Sequence, residues 1–95
     1  MIETSDVSYN KFYTYVLYSL KDKGFYIGST NNFKRRLQQH ARGEVISTKS
    51  RLPVKLIHYE YFIDEIDAKA REVFLKSGYG RKQLKEILKR TLGNL

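Results

Sequence analysis

Tyr15, Tyr26, Arg36, His40 and Glu72 are the residues of this 95-residue chain whose types and spacing could do chemistry. Tyr15 stands in the aromatic, β-branched run FYTYVLYSL and Tyr26 in FYIGS, with KDKG between them as a turn. In a hairpin with a two- or four-residue loop, opposed positions sum to an odd number, Leu20 facing Phe25 for example. Alternation then puts Tyr15, Ser19, Tyr26 and Gly28 on one face, and Thr14, Val16, Leu20, Phe25 and Ile27 on the other, the apolar one. A glycine inside a strand marks a bulge or the close approach of a backbone or ligand. The same pattern also suits two ordinary amphipathic strand tyrosines.

Arg36 and His40 lie on a helix expected over Phe33 to Arg42, capped by Asn31 or Asn32 and stopped by Gly43. With Phe33 set at 0° and about 100° per residue, Leu37 falls near 40°, His40 near −20° and Arg36 near −60°. Arg36 and His40, four apart, border the buried stripe, whereas Lys34, Arg35, Gln38 and Gln39 point away. A half-buried arginine with little acidic sequence around it wants an anion; the competing reading is an ion pair for Arg36 and a packing role for His40.

Glu72 belongs to a second helix, Glu65 to Lys76, opened by Asp64. Ile66, Ala70, Val73, Phe74 and Ser77 form one stripe, and Ala68, Glu72 and Leu75 the opposite one, so this helix is expected to be sandwiched. A carboxylate among such neighbours is paired with a base or binds a metal. One carboxylate alone is a weak metal signal, but Mg²⁺ often takes only one or two, with water and phosphate as its other ligands.

These residues need elements to position them. The strands 12–20 and 25–29, the helix 33–42, a polar basic loop from Glu44 to Pro53, a third strand 54–63, the helix 65–76, a break at SGYG and a last helix from Arg81 to Leu92 give the order β-β-α-β-α-α. The expected fold is α+β, a three-stranded, largely antiparallel sheet flanked by helices. Residues 1–11 read as a loose arm and 12–95 as one domain.

Composition narrows the function. Eighteen Lys and Arg against ten Asp and Glu give +8. Lys34, Arg35, Arg36, Arg42, Lys49, Arg51 and Lys55 oppose only Glu44 between Thr30 and His58, and six bases oppose Glu86 from Lys76 onward. Half of the acids fall between Glu60 and Glu72. One positive surface with a small acidic patch is the footprint of a polyanion binder. The absence of cysteine excludes disulfides and thiolate metal sites. The start MIETSDVSYNK has no signal-peptide pattern and no run approaches the ~18 apolar residues of a membrane span, so a cytoplasmic, non-membrane protein is expected. Arg81 and Lys82, in the expected first turn of the last helix, oppose its dipole and suit a phosphate held there, or else a small accepted penalty.

YTY at 13–15 and YIG at 26–28, followed by Arg36, His40 and Glu72, resemble the GIY-YIG nuclease superfamily over about residues 12–90. The resemblance is strongest to its small stand-alone, excinuclease-C-like bacterial members, whose second helix ends much like AREVFLKSGYGRKQL. Tyr13 and Thr14 replace the Gly and Ile of the first motif but leave its tyrosine, Tyr15, in place. The asparagine that supports the site in several relatives has no match here beyond Asn94, at the extreme end. The resemblance implies metal-dependent cleavage of DNA phosphodiester bonds, in DNA repair or recombination. Glu72 would hold Mg²⁺ or Mn²⁺ and Arg36 would stabilise the phosphate. Tyr15 would help deprotonate water, aided by Tyr26 and His40. Lys49, Ser50, Arg51, Arg81 and Lys82 become candidates for DNA-backbone contacts. Branched or damaged DNA, and a partner protein supplying target specificity, are the implied partners. The alternative is a non-catalytic nucleic-acid-binding module that keeps the fold.

Overall fold

The computed structural model describes residues 11–95; the rest of the expected N-terminal arm lies outside the described residues. Strand β1 (Phe12–Ser19) is the centre of a three-stranded sheet, with β2 (Phe25–Thr30) on one side and β3 (Val54–Phe62) on the other, both antiparallel. Helix α1 (Phe33–Ala41), the single turn α2 (Ile46–Lys49), α3 (Glu65–Lys76), α4 (Gly78–Ile87) and α5 (Lys89–Gly93) complete the α+β domain in the expected β-β-α-β-α-α succession. Among the described residues no helix is long and apolar enough to cross a membrane.

The hairpin register pairs Tyr15 with Gly28, Leu17 with Tyr26 and Tyr18 with Phe25. Its parity is the expected one, so Tyr15, Tyr26 and Gly28 do share a face, but Leu20 does not oppose Phe25. The Leu20 amide instead donates to the Pro53 carbonyl, and its side chain is 46 % exposed. The turn is closed by the Ser19 hydroxyl, which accepts from the amides of Lys21 and Asp22, and by Arg51, whose guanidinium donates to Asp22 and to the Phe25 carbonyl.

One face of the sheet carries the aliphatic core. Val16 and Ile27 pack against Leu75 of α3 and Leu84 of α4, all buried, with Phe25, Ile57 and Leu88 around them. Each such side chain contributes about 1.5–3 kcal/mol over leaving it in water. Ile57 is the extra residue of a bulge opposite Val16 and Leu17, so the face parity of β3 switches there. The opposite face belongs to α1 and the aromatic residues.

Three expectations change. The Glu44–Pro53 segment is not all loop: Ile46 to Lys49 wind into α2, burying Thr48. α3 is not sandwiched. Its Ala68 and Leu75 side is buried, but Ile66 and Val73 are 76 % and 70 % exposed, so α4, though packed against α3, leaves that stripe uncovered. The last helix starts at Gly78, not Arg81, and divides at Leu88. Ser77 both ends α3, donating its amide to Phe74, and caps α4, accepting from the Gly80 amide. Gly80 permits this because a Cβ there would collide with the Phe74 carbonyl oxygen.

Candidate active site

Gly28 is where the site is built. A Cβ on it would lie 2.6 Å from the Tyr15 Oη and 2.8 Å from Cζ, so the Tyr15 ring crosses the backbone of β2 over this glycine. The ring is fully buried, and its hydroxyl meets His40 Nε2 at 2.9 Å. Asn32 starts α1 in the right phase by accepting the Arg35 amide, and Gly43, at φ 73°, turns the chain away after it. His40 is consequently 1 % exposed, with its edge against the Tyr26 ring at 5.0 Å between centroids.

The second nitrogen of His40 has a partner too. Nδ1 lies 2.8 Å from Thr48 Oγ1, which reaches the Val45 carbonyl at 3.5 Å. A carbonyl can only accept, so the Thr48 hydrogen is assigned to it and Nδ1–H is assigned as the donor to Oγ1. Nε2 is then the acceptor for the Tyr15 hydroxyl. Burial pushes the Tyr15 phenol up to about 12, Arg36 beside it opposing the shift and the charges of Tyr26 and Glu72 adding to it. Burial and then the Arg36 charge push His40 down to about 4. At neutral pH the pair is a phenol donating to a neutral imidazole.

Arg36, half buried, sets the electrostatics. Its Nη1 donates to Gln39 Oε1 at 3.2 Å, and the nearby Tyr15 and then Tyr26 hydroxyls hold its pKa above the ordinary value against burial. Among the described residues it forms no ion pair, so its charge is left for something else. It lines a cleft of about 310 Å³ together with Ser29, Thr30 and Gln39, and with Phe12 of β1 and Glu65 and Lys69 of α3. Arg35, expected to point away, is exposed yet also borders this cleft.

Glu72 reaches the same region from the other face of the sheet. Its Oε1 accepts from Ser29 Oγ at 2.6 Å and its Oε2 from Lys76 Nζ at 2.7 Å. Burial raises the carboxyl, but these two bonds and the charges of Lys76 and Lys69 outweigh it and leave the pKa below the usual range. Ser29 and Gly28 point to opposite faces of β2, so the site wraps around an edge strand, tyrosines and arginine on one side, glutamate on the other. Among the described residues no three His, Cys, Asp or Glu side chains converge as metal ligands. One carboxylate beside a serine hydroxyl fits a hard ion that keeps most of its own water, such as Mg²⁺, and does not fit zinc.

The outlying bases divide. Lys49, Ser50 and Lys82 are exposed, with the Ser50 carbonyl accepting from Lys21. Arg51 is engaged in the hairpin turn, at 2.8 Å from Asp22. Arg81 is the fourth residue of α4, its amide already bonded to the Ser77 carbonyl, so the expected first-turn phosphate position is not formed by Arg81 and Lys82. Asn94 donates to the Arg90 carbonyl at the end of α5. Thr48, Ser29 and Lys76 are site neighbours that sequence reasoning missed. Lys76, four residues after Glu72, carried a helical-spacing signal, whereas Thr48 carried none. Gln39, expected to point away, instead accepts from Arg36 and lines the cleft, because a residue three positions on still flanks the same helical face.

The site thus joins a tyrosine pair on a small antiparallel sheet to an ion-pair-free arginine from one flanking helix and a glutamate from another. The chain belongs to the GIY-YIG family: residues 11–85 match the GIY-YIG catalytic domain. It is 33 % identical over 81 residues to a UPF0213 protein of Clostridium perfringens, covering 84 % of this chain and 86 % of that one. It is 40 % identical over 81 residues to a UPF0213 protein of Limosilactobacillus reuteri, covering 82 % and 83 %. The solution NMR structure of a UPF0213 protein from Bacillus halodurans superposes with a TM-score of 0.52 at 30 % identity, covering 81 % of this chain and 84 % of the other. These names state a family and no activity.

Proposed function

We propose that the protein is a DNA endonuclease that hydrolyses phosphodiester bonds in the cleft beside Arg36, with Mg²⁺ or Mn²⁺ held by Glu72. The observation that carries this reading is the ion-pair-free Arg36, set against the Tyr15–His40 pair and lining a cleft that is also lined by Ser29, the residue bonded to Glu72. Arg36 binds a non-bridging phosphate oxygen and offsets the charge that gathers as phosphorus becomes five-coordinate. Tyr15 Oη takes a proton from the attacking water while its own proton passes to His40 Nε2; Nδ1–H stays on Thr48. A phenol at about 12 stays protonated at rest, so this transfer accompanies attack instead of preceding it. Tyr26, beside Arg36 and His40, keeps the guanidinium and imidazole oriented. The metal, when bound, supplies Lewis-acid stabilisation of the phosphate and of the departing 3′ oxygen.

A non-catalytic DNA-binding role has one observation in its favour: both Glu72 oxygens are already taken, by Ser29 and Lys76. Incubating supercoiled plasmid and branched DNA with Mg²⁺ or Mn²⁺ decides between them. Nicking by the wild type that is lost in Glu72→Ala and Arg36→Ala supports the nuclease. Undiminished nicking in both variants removes the assigned site. Binding without nicking, falling steeply with salt, establishes the binding module. A role in DNA repair or recombination, a cytoplasmic location and a partner protein that selects the target are parts of the same proposal.

A further inference from the structure

The third strand is built inside out. His58 and Glu60 face the α3 layer, where they would ordinarily be apolar, and form a neutralised network: His58 Nε2 to Glu60 at 3.0 Å, Arg71 Nε to Glu60 at 2.9 Å, and Arg71 Nη2 to Gln83 at 2.9 Å. Tyr59 and Tyr61 alternate with them and point outward, 53 % and 48 % exposed. A half-buried sheet normally shows the reverse. The two rings are braced from behind. Tyr13, one strand in, stacks on Phe33 of α1 at 4.7 Å between centroids and 18° between planes. Tyr61 then leans on Tyr13 at 5.6 Å and Tyr59 on Phe33 at 5.0 Å. The result is a firm aromatic shelf, not two loose side chains.

Two observations choose its occupant. The charged side chains next in sequence to its inner rings are Lys11, exposed just before β1, and Lys34, exposed beside Phe33, while Glu60 is turned to the other face and paired. The shelf also shares the start of β1 with the cleft: Phe12 lines the cleft, and its neighbour Tyr13 lines the shelf on the opposite face of the same strand. A polyanion leaving the cleft around that end of the sheet meets aromatic rings. In a duplex the faces of the bases are stacked on one another, so only unpaired bases can use such rings, and they do so with little regard to sequence.

We infer that Tyr59 and Tyr61 are a stacking shelf for unpaired bases next to the cleft, and that the substrate is DNA carrying a single-stranded segment. This inference rests on the nuclease reading for its term "substrate", but the binding it describes does not require cleavage. The test is fluorescence anisotropy without divalent metal, using a duplex, the same duplex with a single-stranded extension, and that extension built from abasic units. Tyr59→Ala/Tyr61→Ala should weaken binding of the extended duplex by roughly 5- to 100-fold, with the salt slope unchanged and the plain duplex unaffected. Tyr59→Phe/Tyr61→Phe should bind as the wild type does, and the abasic extension should bind the wild type as weakly as the normal one binds the alanine variant. Equal loss on plain and extended duplexes, or no loss on either, overturns the shelf. Discrimination that survives in a protein that never nicks supports the shelf while removing the nuclease reading.

Discussion

Replacing Gly28 by alanine tests the positioning of Tyr15 more sharply than removing Tyr15 itself. The new Cβ would stand 2.6 Å from Oη and 2.8 Å from Cζ, so the ring and the strand must part by about 0.5–1 Å to reach ordinary contact. Neither can yield freely. Residue 28 stands directly opposite Tyr15 in the ladder, and the ring is held by His40 at 2.9 Å and hemmed in by Tyr26 and Phe33 at 6.3 and 6.0 Å between centroids. Overpacking of this kind costs about 1–3 kcal/mol, which in a domain of this size lowers the melting temperature by roughly 4–20 °C. A displacement near 1 Å at the Tyr15 hydroxyl should slow nicking about 10²-fold. Thermal unfolding by circular dichroism and plasmid nicking read the two effects. The double variant Gly28→Ala/Tyr15→Phe, which removes the nearer atom, should recover part of the melting temperature and none of the nicking. A Gly28→Ala protein that melts and cuts as the wild type does would refute the placement of the Tyr15 ring over Gly28.

Two further outcomes follow from the buried histidine and the paired glutamate. His40 is pushed from 6.5 down to about 4, so the folded chain binds fewer protons than the unfolded one between those values. The His40 contribution to stability should therefore be flat above pH 6.5 and fall as pH drops through 6.5 toward 4, by up to about 3 kcal/mol, a slope that His40→Gln should lack in urea titrations. Lys76→Gln removes the ammonium 2.7 Å from Glu72 and should tighten Mn²⁺ binding up to about fivefold by calorimetry; weaker binding would place the ion elsewhere.

What could be read in advance was whatever obeys a local period. Strand parity alone put Tyr15, Tyr26 and Gly28 on one face, even with the hairpin register two residues off, because a shift of two preserves the alternation. Helical phase separated Arg36 and His40 from Lys34 for the same reason. Long-range contacts were not legible. Thr48 lies in a segment with no periodicity, and only the arrival of His40 gives its hydroxyl a use. The bond between Ser29 and Glu72 spans 43 positions in sequence. Ile66 and Val73 form a sound apolar stripe, but a stripe does not say which neighbour will cover it. On β3 the alternation of His58, Tyr59, Glu60 and Tyr61 was plain, yet the assumption that aromatic residues turn inward would have chosen the wrong face.

The segment between α1 and β3 looks like a convenient place to insert a tag or to join new ends, being short on regular structure and rich in exposed bases. It is a poor one. Thr48 within it is tied to the histidine, and Arg51, three residues on, grips the Asp22 turn. Lengthening this stretch would leave the sheet intact while uncoupling the imidazole from the group that orients its ring, giving a protein that folds and fails. Engineering that needs a permissive joint should look instead to the far end of the last helix, where Gly93 and Asn94 are exposed and, among the described residues, bond only to their own turn.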